Sequence, residues 1–169
     1  MPESFKTALI EAAKDFKLPK YNEIPNVGLY LEQTAKYISE INYNGESGIT
    51  GSMISNYVKK GLITNPVKKQ YNRDQIAYLI FIAMAKSVLS MEDIKLLIEM
   101  QKKSYPNEVA YNYLVEEFEN VVGYVFGIKD EVDTIGKNNH EVKIMLRNLI
   151  ITVAHKAYLD MCFKYYREM

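Results

Sequence analysis

Residues 76–85 read IAYLIFIAMA, ten positions with no charged side chain, no proline and no glycine. Just ahead, Asn72 and Gln75 stand at the spacing of a capping box, in which each side chain accepts from the other's backbone N–H. A helix that is apolar almost all round cannot rest on a surface, so this one is expected at the centre of the core. That uninterrupted apolar stretch is far shorter than the roughly 20 residues a bilayer span requires, so no membrane partner is expected. The remainder must supply a shell around one buried helix. With 169 residues, 48% of them apolar, the chain has enough material for that.

The shell also reads as helical. Phe5, Leu9, Ala12, Ala13 and Phe16 recur at helical spacing and Pro19 closes the segment, giving an amphipathic helix and linker over residues 1–23. Leu29, Leu31, Thr34, Ala35, Ile38 and Ile41 give a second helix, ended by the turn-rich stretch 42–48. Thr50 is placed to cap a short helix carrying Met53, Ile54, Tyr57 and Val58, and Gly61 to end it in the left-handed conformation. Residues 62–71 form two short extended pieces, expected to turn at Asn65-Pro66 as a tiny β-hairpin with lysines at the tip or on the returning arm. Ser90 caps a helix bearing Ile94, Leu97 and Ile98. Further helices are expected over residues 107–126 and 139–166, separated by the polar stretch 127–138. The expected fold is mainly α, in three parts: 1–23, a winged helix-turn-helix over 24–103, and a helical dimerisation or sensing region over 104–169.

Charge distribution singles out one of these segments. Formal charge sums to zero, 21 basic against 21 acidic residues, yet residues 47–73 hold Lys59, Lys60, Lys68, Lys69 and Arg73 and no acid. Residues 1–46 have a net charge of −2 and residues 91–169 of −3. The positive charge coincides with the short capped helix and the hairpin, the order of elements that can place a helix in a major groove and a neighbouring loop on phosphates. The candidate DNA-binding residues are therefore Thr50, Ser52, Ser55, Asn56, Lys59, Lys60, Lys68, Lys69, Tyr71 and Arg73. Asn56 is the candidate base reader, since a carboxamide pairs bidentately with adenine. The cations are candidate phosphate contacts, with the Tyr71 hydroxyl beside them.

The string Gly51-Ser52-Met53-Ile54-Ser55-Asn56-Tyr57-Val58-Lys59-Lys60-Gly61-Leu62-Ile63, followed by residues 66–76, PVKKQYNRDQI, resembles the MerR-like helix-turn-helix. With Leu29-Tyr30-Leu31-Glu32-Gln33 upstream and Leu89-Ser90-Met91-Glu92-Asp93-Ile94 downstream, residues 24–100 are similar to the bacterial family called domain of unknown function 1836. That resemblance implies a helix-turn-helix fold and a DNA partner. The chain departs from the MerR pattern at Ser55-Asn56-Tyr57-Val58, where an arginine that contacts phosphate is missing, and at Pro106, which interrupts the position of the long dimerisation helix.

The expected function is a cytoplasmic transcriptional regulator bound to double-stranded DNA as a homodimer, with no cofactor. Two alternatives stand beside it: an architectural or excisionase-like DNA-binding factor, and a protein-interaction adaptor that does not bind DNA. The tyrosine-rich C-terminal region is expected to pack as core or dimer interface, the sharper alternative being an aromatic pocket for a small effector. His155 and Cys162, seven apart on one helical face, are too few for a metal site, and Cys162 is expected as a half-buried free thiol. Glu116, Glu117 and Glu119 are expected on a wet helix face. The N-terminus carries no secretion pattern, and there is no Ser-His-Asp order, phosphate-binding glycine loop or zinc-protease motif, so an enzyme is not expected.

Overall fold

The computed structural model describes residues 3–44, 48–136 and 139–168. It is mainly helical with one small antiparallel sheet: α1 (Glu3–Lys14), β1 (Leu29–Tyr30), α2 (Leu31–Ser39), α3 (Gly51–Lys59), β2 (Gln70–Tyr71), α4 (Arg73–Ala85), α5 (Met91–Ser104), α6 (Asn107–Val125) and α7 (Glu141–Glu168). The chain divides into two compact units, one of Pro19–Ile41 and Ser47–Asn112, the other of Met1–Leu18, Asn42–Glu46 and Tyr113–Met169. Of the stretches expected as loops, residues 45–47 and 137–138 lie outside the described residues.

In the first unit α4 is the buried helix that its composition demands, with Ile76, Leu79, Ile80 and Ile82 all inaccessible. Its capping box forms as expected: Asn72 Oδ1 accepts from Gln75 N at 2.9 Å, and Gln75 Oε1 from Asn72 N at 2.9 Å. Because the cap leaves the Gln75 amide nitrogen free to donate, that group does a second job. It donates to the carbonyls of Thr64 at 3.0 Å and Asn65 at 3.1 Å, tying the segment before the hairpin to the core helix. On the other side α5 is joined to α4 by the hydrogen bond from Tyr78 Oη to Gln101 Oε1, 2.8 Å. A 3-10 turn, Tyr21–Glu23, is fixed to the start of α4 by Tyr21 Oη donating to Asp74 Oδ1 at 2.6 Å. Burial together with that carboxylate pushes the Tyr21 phenol up to about 12.

The hairpin turns later than expected. Val67 and Gln70 exchange both backbone hydrogen bonds, 3.1 and 2.9 Å, which places Lys68 and Lys69 alone at the tip instead of Asn65-Pro66. Gln75, ten positions and more along the chain, holds the carbonyls of residues 64 and 65, and the reversal falls beyond them on Lys68 and Lys69. The returning arm then pairs with β1, Leu29 opposite Tyr71 and Tyr30 opposite Gln70.

In the second unit, α1 buries Phe5, Leu9 and Ala13, and α7 buries Val142, Leu146, Leu149, Ile150, Val153, Ala154 and Ala157. Phe5 stacks obliquely on Tyr165 with ring centroids 4.6 Å apart, and Phe126 meets both Phe16 and Tyr158 edge-on. One expectation is corrected here. Glu116 and Glu119 are exposed, but Glu117 is 1% exposed, because it shares a stripe of α6 with Leu114 and Val121. Its Oε1 faces Arg147 Nε at 3.2 Å, and burial raises its carboxyl above the ordinary range against the pull of Arg147 and Lys143. Cys162 is a free, half-buried thiol, and His155 is exposed.

Candidate nucleic-acid interface

Helix α3 is short because its sequence carries both a start and a stop. At the start, Thr50 Oγ1 accepts from Met53 N at 3.3 Å. At the end, Gly61 takes φ +73°, and the bonds Leu62 N to Tyr57 O (2.9 Å) and Gly61 N to Val58 O (3.0 Å) make a Schellman motif. Ile54 and Tyr57 are buried, while Ser52, Ser55, Asn56 and Lys59 are exposed. At 3.6 residues per turn those four positions fall within about 100° of one another, so they share one face. Lys60 follows, also exposed.

The second cationic element is the hairpin tip. Lys68 and Lys69 have φ of 50° and 63°, the signature of a type I′ turn, which glycine and asparagine normally occupy. A side chain in this left-handed region costs about 1–2 kcal/mol per residue through the clash of Cβ with the backbone. Both lysines are exposed, and so is Val67 before them, at 71%.

Two members of the candidate set are committed elsewhere. Tyr71 is 4% exposed, with its side chain in the core beneath β2, and burial raises its phenol. Period-two alternation explains this: the strand that leaves Gln70 half-exposed turns Tyr71 inward. Arg73 donates from Nε to the carbonyl of Ile24 at 2.9 Å and from Nη2 to that of Asn22 at 3.4 Å, and its guanidinium lies 5.5 Å from the centre of the Tyr21 ring. It fastens the 3-10 segment to α4.

Two residues that the linear charge count could not reveal modify the face. The Glu32 carboxylate, on the first turn of α2, sits so close to Gly51 that any Cβ there would collide with it. An acid is thus brought to the positive end of the α3 dipole, where it satisfies the helix and disfavours a phosphate. At the other end Lys95 of α5 donates to the carbonyl of Lys60 at 3.4 Å. Together these two groups move the positive potential of α3 toward Asn56, Lys59 and Lys60. No sequence signal marks either residue, since they lie 19 and 35 positions from the groups they meet. Among the described residues, no group of three His, Cys, Asp or Glu side chains is arranged to hold a metal ion, and no helix is long and apolar enough to cross a membrane.

Fold and face together define a mainly helical protein with a small antiparallel sheet, in which the end of one exposed helical face and one two-residue turn carry the four lysines of residues 47–73. The chain belongs to the family described as domain of unknown function (DUF1836), whose model matches residues 19–118. Neither curated proteins nor solved structures gave a match. The matched span contains α2, α3, the hairpin, α4 and α5 in full.

Proposed function

We propose that the chain is a DNA-binding transcriptional regulator in which α2 and α3 act as a helix-turn-helix and the Val67–Gln70 hairpin as its wing. The observation that carries the reading is the exposed face of α3, polar and cationic without an acid of its own, in the same compact unit as a tip made of two lysines. In this reading α3 lies in the major groove, Asn56 meets a base edge, and Lys59, Lys60, Lys68 and Lys69 meet phosphates. Thr50 and Arg73 support the element and do not touch the nucleic acid. The acid at the N-terminus of α3 favours contact through the C-terminal half of the helix.

The proposed assembly is a homodimer, because operators are usually read as two half-sites by a two-fold pair. Its supporting feature is the row Leu159, Phe163 and Tyr166 on α7, each more than half exposed at helical spacing. Light scattering at micromolar concentration is expected to give twice the chain mass, and Leu159→Glu/Phe163→Glu to give the single mass; a monomeric wild-type chain overturns this assembly.

The function is tested by selecting bound sequences from random duplex DNA and titrating the selected duplex against salt with the wild-type chain and the Lys68→Ala/Lys69→Ala variant. A palindromic consensus is expected. Salt-sensitive binding without any consensus would replace the regulator with an architectural factor. No binding at low salt would overturn the DNA reading and leave a protein-interaction adaptor.

A further inference from the structure

Resting on the homodimer proposed above, we infer that two copies of the chain pair through antiparallel α7 helices with His155 on the two-fold axis, so that acid, by charging both imidazoles, separates them. The feature behind this is a stripe that reads alike in both directions. Ile151 and Leu159 stand four positions either side of His155, Asn148 and Cys162 seven, and Ile144 and Tyr166 eleven. All seven are exposed or half-exposed, and none is an acid, a lysine or an arginine. A spacing of eleven gives about 3.67 residues per turn, close to the helix's own repeat, so the stripe stays on one face along about 33 Å of α7.

A second copy is the partner that fits. A two-fold axis through His155 sets each position of one helix against the one equally far on the other side of His155, so a stripe symmetric about that residue is complementary to itself. His155 is also the middle of α7, and no other axis overlaps the two helices as fully. Ile144 then meets Tyr166 and Ile151 meets Leu159, apolar on apolar, with Asn148 against Cys162. Two features favour antiparallel helices over parallel ones. The macrodipoles oppose each other. Met145 and Phe163, both exposed, also flank the stripe on the same edge, and antiparallel pairing brings like edges together, so they meet as well. The seam uses a different helix from the one whose position Pro106 interrupts.

The residue on the axis makes the pair sensitive to acid. Imidazole is the side chain whose charge changes between about pH 5 and 8. His155 is exposed in the single chain, where water solvates either form, but across the axis it meets its own mate. Two imidazolium groups held together oppose association. No acid relieves them: Ile151, Thr152 and Leu159 surround His155 on the exposed face, and the nearby Asp160 carboxylate is engaged by Lys156, itself a further cation at the edge of the seam.

The test uses the full chain. A disulfide needs Cα atoms within about 7 Å of each other. Under mild oxidation His155→Cys in a Cys162→Ser background is therefore expected to link to its own mate, and Asn148→Cys to link to Cys162 of the second copy. The two wild-type thiols, about 21 Å apart along the seam, are expected to stay free. In analytical ultracentrifugation the Kd of the wild-type dimer is expected to rise at least about tenfold from about pH 7.5 to about pH 5.5, and that of His155→Leu to change less than about twofold. Wild-type chains that link through Cys162 itself would mean parallel helices and overturn the inference. A dimer in which either variant fails to link, or whose Kd is unmoved by acid or moves equally in His155→Leu, also overturns it and leaves the homodimer standing on another surface. A monomeric chain at neutral pH overturns both.

Discussion

The strained turn makes stability and DNA affinity move in opposite directions, which few surface substitutions do. Lys68→Asn/Lys69→Gly replaces two side chains held at φ 50° and 63° with residues that tolerate this region. Releasing two left-handed lysines recovers about 1–2 kcal/mol each at most. Asparagine recovers only part of its share, and glycine gives back about 0.5–1 kcal/mol through the entropy of the unfolded chain. A net gain of about 1 kcal/mol remains, and for a chain of this size it raises Tm by about 2–4 °C. Lys68→Ala/Lys69→Ala removes the same charges but keeps a Cβ at both positions, so it is expected to leave Tm unchanged. On DNA the two variants behave alike. With Arg73 held by Ile24 and Asn22, four lysines remain to meet phosphates, for a log-log salt slope of about −3.6, and either variant lowers its magnitude to about 1.8. Differential scanning calorimetry and salt titrations measure both quantities. Equal stabilisation by the alanine variant would assign the gain to charge relief and refute the strain reasoning, and an unchanged slope would remove the tip from the interface.

Gln75→Ala loses half of the capping box and the donor that holds the Thr64 and Asn65 carbonyls, so urea unfolding should show a loss of about 2 kcal/mol. Glu32→Gln takes an acid from the N-terminal end of α3 and is expected to tighten DNA binding several-fold at low salt, with the gap closing as salt screens it; weaker binding would mean that Glu32 serves the interface and does not oppose it. Glu117 has a pH signature: because burial raises its carboxyl above 4.5, the folded chain keeps a proton that the unfolded chain has released. Stability is therefore lost as pH rises from about 4.5 through the raised value, and the stability of Glu117→Gln relative to wild type should climb over the same window. A flat difference between the two unfolding curves across that window would contradict the burial.

Much of the architecture was legible because it is written in short-range patterns. The apolar run at 76–85 dictated the buried helix, Asn72 and Gln75 its cap, and Thr50 and Gly61 the two ends of α3, since each depends on residues within a few positions of one another. The same locality explains the polar face Ser52, Ser55, Asn56 and Lys59. Where the sequence misled, a distant partner decided. Tyr71 and Arg73 looked like surface residues beside a basic hairpin, but pairing with β1 turns the first inward and the Ile24 and Asn22 carbonyls capture the second. Glu117 looked like one of three solvated acids, but the fold buries it and sets the half-exposed Arg147, thirty positions on, beside it.

The sequence alone thus determined which segments are helices, where they begin and end, and that the cations gather in residues 47–73. Tertiary structure decided which of those cations are free, moved the hairpin turn onto Lys68 and Lys69, and set Glu32 and Lys95 at opposite ends of α3. The division has a physical cause. Caps, helical periodicity and left-handed glycines are satisfied by neighbours in the chain, whereas a charge is defined by whatever group the fold brings within a few ångströms of it.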